Sequence, residues 1–268
     1  MAIDLKTLRR AEPTCPPRVL IYGPEGIGKN TFALEFPNPI TFDWERGSPP
    51  GAIVLRDEVA DFDATLDAIG ALATEEHDFK SVIFDSADKL EVMIHQKVCA
   101  DNNWANIEEP GYGKGYNIAL GYWEDFVRAI EYLNVQRNVC PIILAHSGVD
   151  RFDDPAAASY SRYDLRVRSK AAGIIKDRAD MVLFINQEAV VAQEDAGFQK
   201  KVGKASGGGD RWVRTEARPA FAAKNRYDLP PKFRYERGGG FEYLLPYLPG
   251  FDEFKTSDAL TSDPAKAA

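Results

Sequence analysis

The segment Gly23-Pro24-Glu25-Gly26-Ile27-Gly28-Lys29-Asn30-Thr31 constrains this chain more than any other. It follows a short apolar run, RVLIY at 18–22, bounded by Pro16-Pro17 and Gly23, and it leads into a helical stretch that Pro37 stops. Its GxxxxGK core is a phosphate-binding loop in the right setting, between a buried strand and a helix. Glycines let backbone N–H groups converge on phosphate oxygens, the helix start favours negative charge, and Lys29 bridges the terminal phosphates. Residues 23–31 are therefore the candidate nucleotide contacts, with ATP and Mg2+ as the expected ligands. The last position departs from the pattern. Asn30 stands where a Ser or Thr hydroxyl would ligate Mg2+. An amide oxygen can ligate the ion, but its NH2 cannot accept, and Thr31 lies about 100° further round the helix. The motif implies nucleotide binding and leaves fast hydrolysis open.

The rest of the chain alternates in kind. PITFDWE (39–45), SVIFD (81–85), VCPIILAHS (139–147) and DMVLFI (180–185) read as strands. Between them, 61–74 carries Phe62, Leu66, Ile69 and Leu72 at helical spacing with Asp61 placed to cap, and 87–99 and 118–136 read as further helices. Strands separated by helices predict an α/β fold with a mainly parallel, twisted sheet covered on both faces. Beyond Asn186, the pieces QEAVVAQE and RWVRTEA predict antiparallel hairpins. The expected organisation is an N-terminal arm (1–17), a core (18–248) and a flexible small-residue tail (249–268).

Two carboxylates fit the loop. Asp85 ends the third strand, where Mg2+ or its water shell needs an anchor. Glu45 lies just past the second strand, where a carboxylate can orient an attacking water. Asp43 competes for that role, but Glu45 is nearer the strand tip.

Composition narrows the partners. No run approaches the ~18 apolar residues of a membrane helix, and the N-terminus has no apolar signal segment. The three cysteines, Cys15, Cys99 and Cys140, are odd in number and lack CxxC spacing, which predicts reduced thiols in a cytoplasmic setting and no zinc site. Net charge is −8, yet 199–238 holds eleven Lys/Arg against four acids and 162–178 holds six against two, so one basic face could meet a polyanion. GYGKGY (111–116) interleaves Tyr112, Lys114 and Tyr116 with glycines, the chemistry of single-strand stacking.

Taken together, RVLIYGPEGIGK, TFDWERG, SVIFDSADKLE, PIILAHSGVDRF, GYGKGY and RPAFAAKNRYDLP resemble the core of RecA-type recombinases. They are most similar to phage-encoded RecA-like ATPases of the Sak single-strand annealing type, over roughly residues 18–235. The resemblance implies a RecA-like P-loop NTPase core in which Glu45 activates water and Asp85 supports Mg2+. It implies that His146, ending the fourth strand, senses the γ-phosphate and couples it to a DNA-binding loop, and that Lys224 and Arg226 reach a neighbour's ATP. Their i, i+2 spacing puts both on one face of a strand. It places a second DNA loop after His146, carrying Arg151, Arg162, Arg166 and Arg168. It further implies single-stranded DNA and a phage single-strand-binding protein as partners, self-assembly into a ring or filament, and the host cytoplasm as location. The alternative is a nucleotide-binding scaffold in which Asn30 weakens hydrolysis.

Overall fold

The computed structural model describes residues 15–153, 158–188, 190–195, 201–206 and 209–255. Its centre is β1 (Val19–Gly23), whose five residues are all buried. A strand buried on both faces needs an unbroken apolar run, which VLIYG supplies. The chain continues through α1 (Lys29–Ala33), β2 (Pro39–Asp43), β3 (Ile53–Leu55), α2 (Phe62–Thr74), β4 (Ser81–Asp85) and α3 (Ala87–Asn102). Then come α4 (Lys114–Arg137), β5 (Cys140–Phe152), β6 (Tyr160–Leu165), α5 (Ser169–Arg178) and β7 (Met181–Gln187). The C-terminal part holds β8 (Val190–Asp195), β9 (Lys201–Ser206), β10 (Arg211–Arg214), β11 (Lys232–Tyr235) and α6 (Gly240–Leu244).

The main sheet has the order β11-β10-β7-β1-β5-β4-β2-β3, with β6 attached to β5 outside this path. From β7 through to β3 all neighbours are parallel. Strand β10 runs antiparallel to both β7 and β11, and β8 pairs antiparallel with β9. One apolar layer packs α2, α3, α4 and α5 on one face, around Trp123, Phe126 and Phe84. The other packs α1 and α6 on the opposite face, around Phe32, Phe36 and Phe251. The expected α/β architecture, mainly parallel with antiparallel strands on the C-terminal side, is the one observed. Asp61 caps α2 as expected, accepting from Ala64 N at 2.9 Å.

Three expectations change. The expected tail boundary at 249 falls too early. Gly250 turns at φ 75°, close against Pro16, and sends Phe251 into the core beside Phe36 and Phe241. A 3-10 turn at Asp252–Phe254 follows; residues 256–268 of the expected tail, and 1–14 of the expected arm, lie outside the described residues. Second, the stretch after His146 is a β-hairpin rather than a loop. Strand β5 runs on to Phe152 and pairs with β6 from Ser147↔Leu165 to Phe152↔Tyr160. Third, GYGKGY is only half a loop. Helix α4 starts at Lys114, so Lys114 and Tyr116 are helical. Of the basic run at 199–238, the side chains of Lys200, Lys201 and Lys204 lie outside the described residues.

Candidate nucleotide site

The parallel strands β1, β4 and β2 end side by side and β5 passes the same edge at His146, with Gly23 opposite His146 and Asp43 opposite Asp85. The crevice beyond such ends is where open α/β sheets bind ligands. Here it is bordered by the phosphate loop. Two glycines shape that loop. A Cβ on Gly23 would meet Ile185 O at 2.3 Å, and Gly28 adopts φ 103°, in the left-handed region, immediately before α1. Lys29 is buried and its Nζ donates to Gly23 O (3.1 Å) and Pro24 O (3.0 Å), arching over the loop. Burial pushes the Lys29 ammonium below its ordinary pKa, against the pull of Asp85, Asp88, Glu45 and Glu25.

Asn30 donates its Nδ2 to Asp85 Oδ2 at 3.1 Å, while its buried Oδ1 has no hydrogen-bond partner. Asp85 is pushed up to about 6, first by burial, then by the charges of Glu45 and Asp43, with Lys29 and His146 opposing. An orphan amide oxygen beside a carboxylate that is costly to ionise fits a divalent cation. Among the described residues no group of three or more His, Cys, Asp or Glu is arranged to hold a metal by itself. Mg2+ would thus share Asn30, Asp85 and the phosphates, its usual mode. The Asp85–Ser86 peptide bond is cis.

Asp43 and Glu45 part company in the fold. Asp43 is fully buried and spent on structure, accepting from Arg56 Nη2 (2.8 Å), Arg56 Nε (2.9 Å) and Gly47 N (2.9 Å). Glu45 lies past the strand end and accepts from the Ser86 hydroxyl, which for that reason does not cap α3. Its Oε1 is 3.8 Å from His146 Nδ1. His146 is also tied to Asp88, whose Oδ2 accepts from His146 N at 2.9 Å and lies 3.3 Å from Nδ1. Burial raises Asp88, but the bonds from His146 and Arg166 outweigh it and hold the carboxyl below its ordinary range. Glu45, Asp85, Lys29, Asn30 and His146 are thus brought together at one crevice.

Other expected residues fall elsewhere. Arg166 is not out on the hairpin. Leu165 is buried at the hairpin root and Arg166 N donates to His146 O at 2.8 Å, which turns its side chain over the phosphate loop. There its Nη1 contacts Glu25 Oε1 and its Nε contacts Asp88 Oδ1, both at 3.0 Å. Lys224 and Arg226 sit at the opposite end of β1 and β7. Lys224 pairs its backbone with Val182 and donates Nζ to the last carbonyls of α5, Lys176 O and Asp177 O, both at 3.0 Å. Arg226 Nη1 meets Asp180 Oδ1 at 2.8 Å, beside the Arg18–Asp180 pair. Neither reaches this chain's own loop.

Tyr112, Tyr116 and Arg168 border one cavity of about 520 Å³ between α3, α4 and α5, with Lys170 and Asp150 on its wall. Tyr112 is fully exposed, and Lys114 is exposed at the helix start. Tyr116 is engaged, its hydroxyl donating to Glu108 Oε1 (2.8 Å) and its ring 3.5 Å beneath the Arg168 guanidinium. On the hairpin, Arg151 bonds Asp153 and Ser159, while Arg162 lies 5.3 Å from the Phe152 ring. A second cavity, about 430 Å³, begins at Thr31 and runs between Leu34, Pro49, Pro50 and Arg237.

Sequence reasoning missed Asp88, Ser86 and Arg211. The first two had a signal, since SVIFDSAD puts both in or just before the first turn of the helix after Asp85. Arg211 had none: it comes within 3.3 Å of where a Gly28 Cβ would stand only because β10 pairs with β7.

No curated protein matches the sequence. Among solved structures, that of the RadB recombinase aligns over 84% of this chain and 90% of its own, with 15% identity and a TM-score of 0.47. A family profile described as AAA domain matches residues 16–227, which span the phosphate loop, every strand end of the crevice and the Lys224–Arg226 segment, and the chain belongs to that AAA domain family.

Proposed function

We propose that the protein is an ATP-hydrolysing, single-stranded-DNA-binding recombination protein that promotes annealing or strand pairing. The observation that carries the nucleotide part is the convergence of Lys29, Asn30 Oδ1, Asp85 and Glu45 on one phosphate loop. Lys29 binds the terminal phosphates, and Asn30 and Asp85 hold Mg2+, which when bound neutralises phosphate charge. Glu45, oriented by Ser86, accepts a proton from the attacking water; His146, between Glu45 and Asp88, reads the γ-phosphate. The cavity beginning at Thr31 receives the nucleoside.

The DNA part rests on the cavity that gathers Tyr112, Tyr116 and Arg168, and on the hairpin that carries Arg151 and Arg162. Aromatic faces beside cations suit stacking with, and backbone contact to, single strands. Lys224 and Arg226, far from this chain's own loop, act on ATP bound by a neighbouring copy, which makes turnover depend on assembly into a ring or filament. A phage single-strand-binding protein is the further partner this reading carries.

One observation favours a second reading, a nucleotide-binding scaffold with weak turnover. Asn30 turns an N–H donor to Asp85, occupying a lone pair that would otherwise face the metal. The deciding experiment is ATP hydrolysis with Mg2+, with and without single-stranded DNA, at two salt concentrations. DNA-stimulated turnover that salt weakens supports the recombination ATPase. Tight ATP binding without turnover in any condition supports the scaffold.

A further inference from the structure

The basic run at 199–238 brings a cation without a counter-charge to the phosphate loop. Strand β10 runs antiparallel to β7, which sets its first residue, Arg211, opposite Gln187 at the loop edge of the sheet. On its other side Arg211 faces Tyr235 of β11. Val213 and Tyr235 are buried in the layer of α1 and α6, and Arg211, two positions from Val213, shares that face. The other cations of these strands have acidic partners. Arg214 and Lys232 pair with Glu188, and Arg234 pairs with Asp210 and Glu236. Arg211 is partly buried, yet among the described residues no carboxylate contacts it. Asp210, beside it in the chain, is held by Arg234 at 2.9 Å. Glu35, which Tyr235 reaches, already accepts from the Tyr235 hydroxyl and from Gly238 N, Gly240 N and Phe241 N. The Arg211 guanidinium lies instead against Gly28, where an added Cβ would meet Nη1 at 3.3 Å and Cζ at 3.7 Å.

We propose that Arg211 is a nucleotide-binding residue of its own chain, whose guanidinium contacts the α- and β-phosphates of the nucleotide held by the loop. This rests on the nucleotide reading given above and names a further residue of that site. A charge partly withdrawn from water calls for a counter-charge, and a phosphate supplies one that matches the guanidinium fork. Sheet order decides which phosphates. Asp85 on β4, His146 on β5 and Glu45 past β2, the groups assigned to the metal and the terminal phosphate, all lie on one side of β1. Arg211 approaches from the other side, from β10 beyond β7. Gly28, against which it rests, comes three residues before Thr31, where the nucleoside cavity begins, and Arg237, two residues past Tyr235, lines that cavity. Arg211 therefore stands on the nucleoside side of the loop, beside the phosphates that are not transferred. Glycine at 28 leaves the space between guanidinium and loop open. Because ADP and ATP share those two phosphates, the contact strengthens the binding of both alike.

The test uses the full chain and the variants Arg211→Gln, Arg211→Met, Arg211→Lys and Lys232→Gln. Isothermal titration calorimetry in Mg2+ measures the affinity of each for ADP, for a non-hydrolysable ATP analogue and for inorganic pyrophosphate, and thermal melting checks the fold. Arg211→Gln should weaken ADP and the ATP analogue alike, by about 10–100-fold, the size expected for a hydrogen bond between charged groups. Pyrophosphate, which has the phosphates without the nucleoside, should weaken as well. Arg211→Lys should fall in between, because an ammonium keeps the charge and loses the fork. Lys232→Gln makes the same change of charge on the other face of β11 and should cost less than about 2-fold. The proposal is overturned if folded Arg211→Gln binds ADP within about 2-fold of the parent, or if Lys232→Gln loses as much as Arg211→Gln. It is equally overturned if only the ATP analogue weakens, which would put Arg211 on the terminal phosphate, or if pyrophosphate binding is untouched, which would put it on the nucleoside. Should Arg211→Gln fail to fold, Arg211→Met, which keeps the length of the stem, decides by the same criteria. A parent chain that binds neither ADP nor the analogue overturns the nucleotide reading itself, whereas a parent that binds both beside indifferent Arg211 variants overturns this proposal alone.

Discussion

Replacing Asp85 by Asn should make the ligand-free protein more stable at neutral pH, although it removes a metal ligand. In the fold this carboxyl titrates at about 6, because it is buried among Glu45 and Asp43. In the unfolded chain an aspartate titrates near its ordinary value of about 3.9. The folded state therefore binds the proton more tightly, so its advantage is full below about pH 4 and is lost as pH rises through about 6. A gap of about two pH units is worth about 3 kcal/mol at about 1.4 kcal/mol per unit. Asn at this position carries no charge at any pH and can still accept from Asn30 Nδ2. Urea unfolding of both proteins in a chelator, at half-unit steps from pH 4 to 8, measures the difference. Mutant minus parent stability should already be rising at pH 4, climb most steeply near pH 5, and level off above about pH 7, about 3 kcal/mol above its value at low pH. Other titrating groups cancel in the subtraction as long as Asp85 does not couple to them differently. With Mg2+ and a non-hydrolysable ATP analogue at about 100 times the dissociation constant, the parent should gain about 2.7 kcal/mol, and the mutant much less. A difference curve that is flat with pH, or that falls, would refute the account of Asp85 as a carboxylate held at a cost for a cation.

Three further expectations follow from the geometry. Asn30→Thr supplies a hydroxyl and frees Asp85, and should raise steady-state phosphate release about tenfold, equivalent to about 1.4 kcal/mol of barrier; an unchanged rate means Asn30 Oδ1 is already an adequate ligand. Lys224→Ala and Arg226→Ala should stop turnover while leaving ATP-analogue affinity of the monomer unchanged, and turnover that persists in both removes the trans assignment. Tyr112→Ala should weaken single-stranded DNA binding about tenfold, consistent with about 1–3 kcal/mol per stacked base, with Tyr116→Ala weaker in effect because its ring already lies beneath Arg168. Equal affinity of Tyr112→Ala and parent in fluorescence anisotropy would return the 111–113 turn to a linker.

Much of this architecture is legible in the sequence because it depends on neighbours along the chain. VLIY, SVIF and PIILA are apolar runs that only a doubly covered strand can bury, and GPEGIGK needs glycine where the backbone turns left-handed at Gly28 or meets Ile185 at Gly23. Asp61 caps its own helix. Glu45, Asp85 and His146 were legible too, since residues at or just past the same end of neighbouring parallel strands lie along one edge, although β5 itself runs on beyond His146. What the tertiary structure alone decided are the contacts between residues far apart in sequence. Arg166 reads as a cation among cations until β6 returns it to His146 and over Glu25, 141 positions away. Lys224 and Arg226 could have pointed anywhere; a bridge to Val182 and an ion pair with Asp180 set them at the far end of the sheet. Phe251 reads as the start of a polar tail until the turn at Gly250 buries it between Phe36 and Phe241. Local pattern records which face a residue presents, whereas the partner it meets depends on sheet order and register, which are set by the burial of the whole core at once.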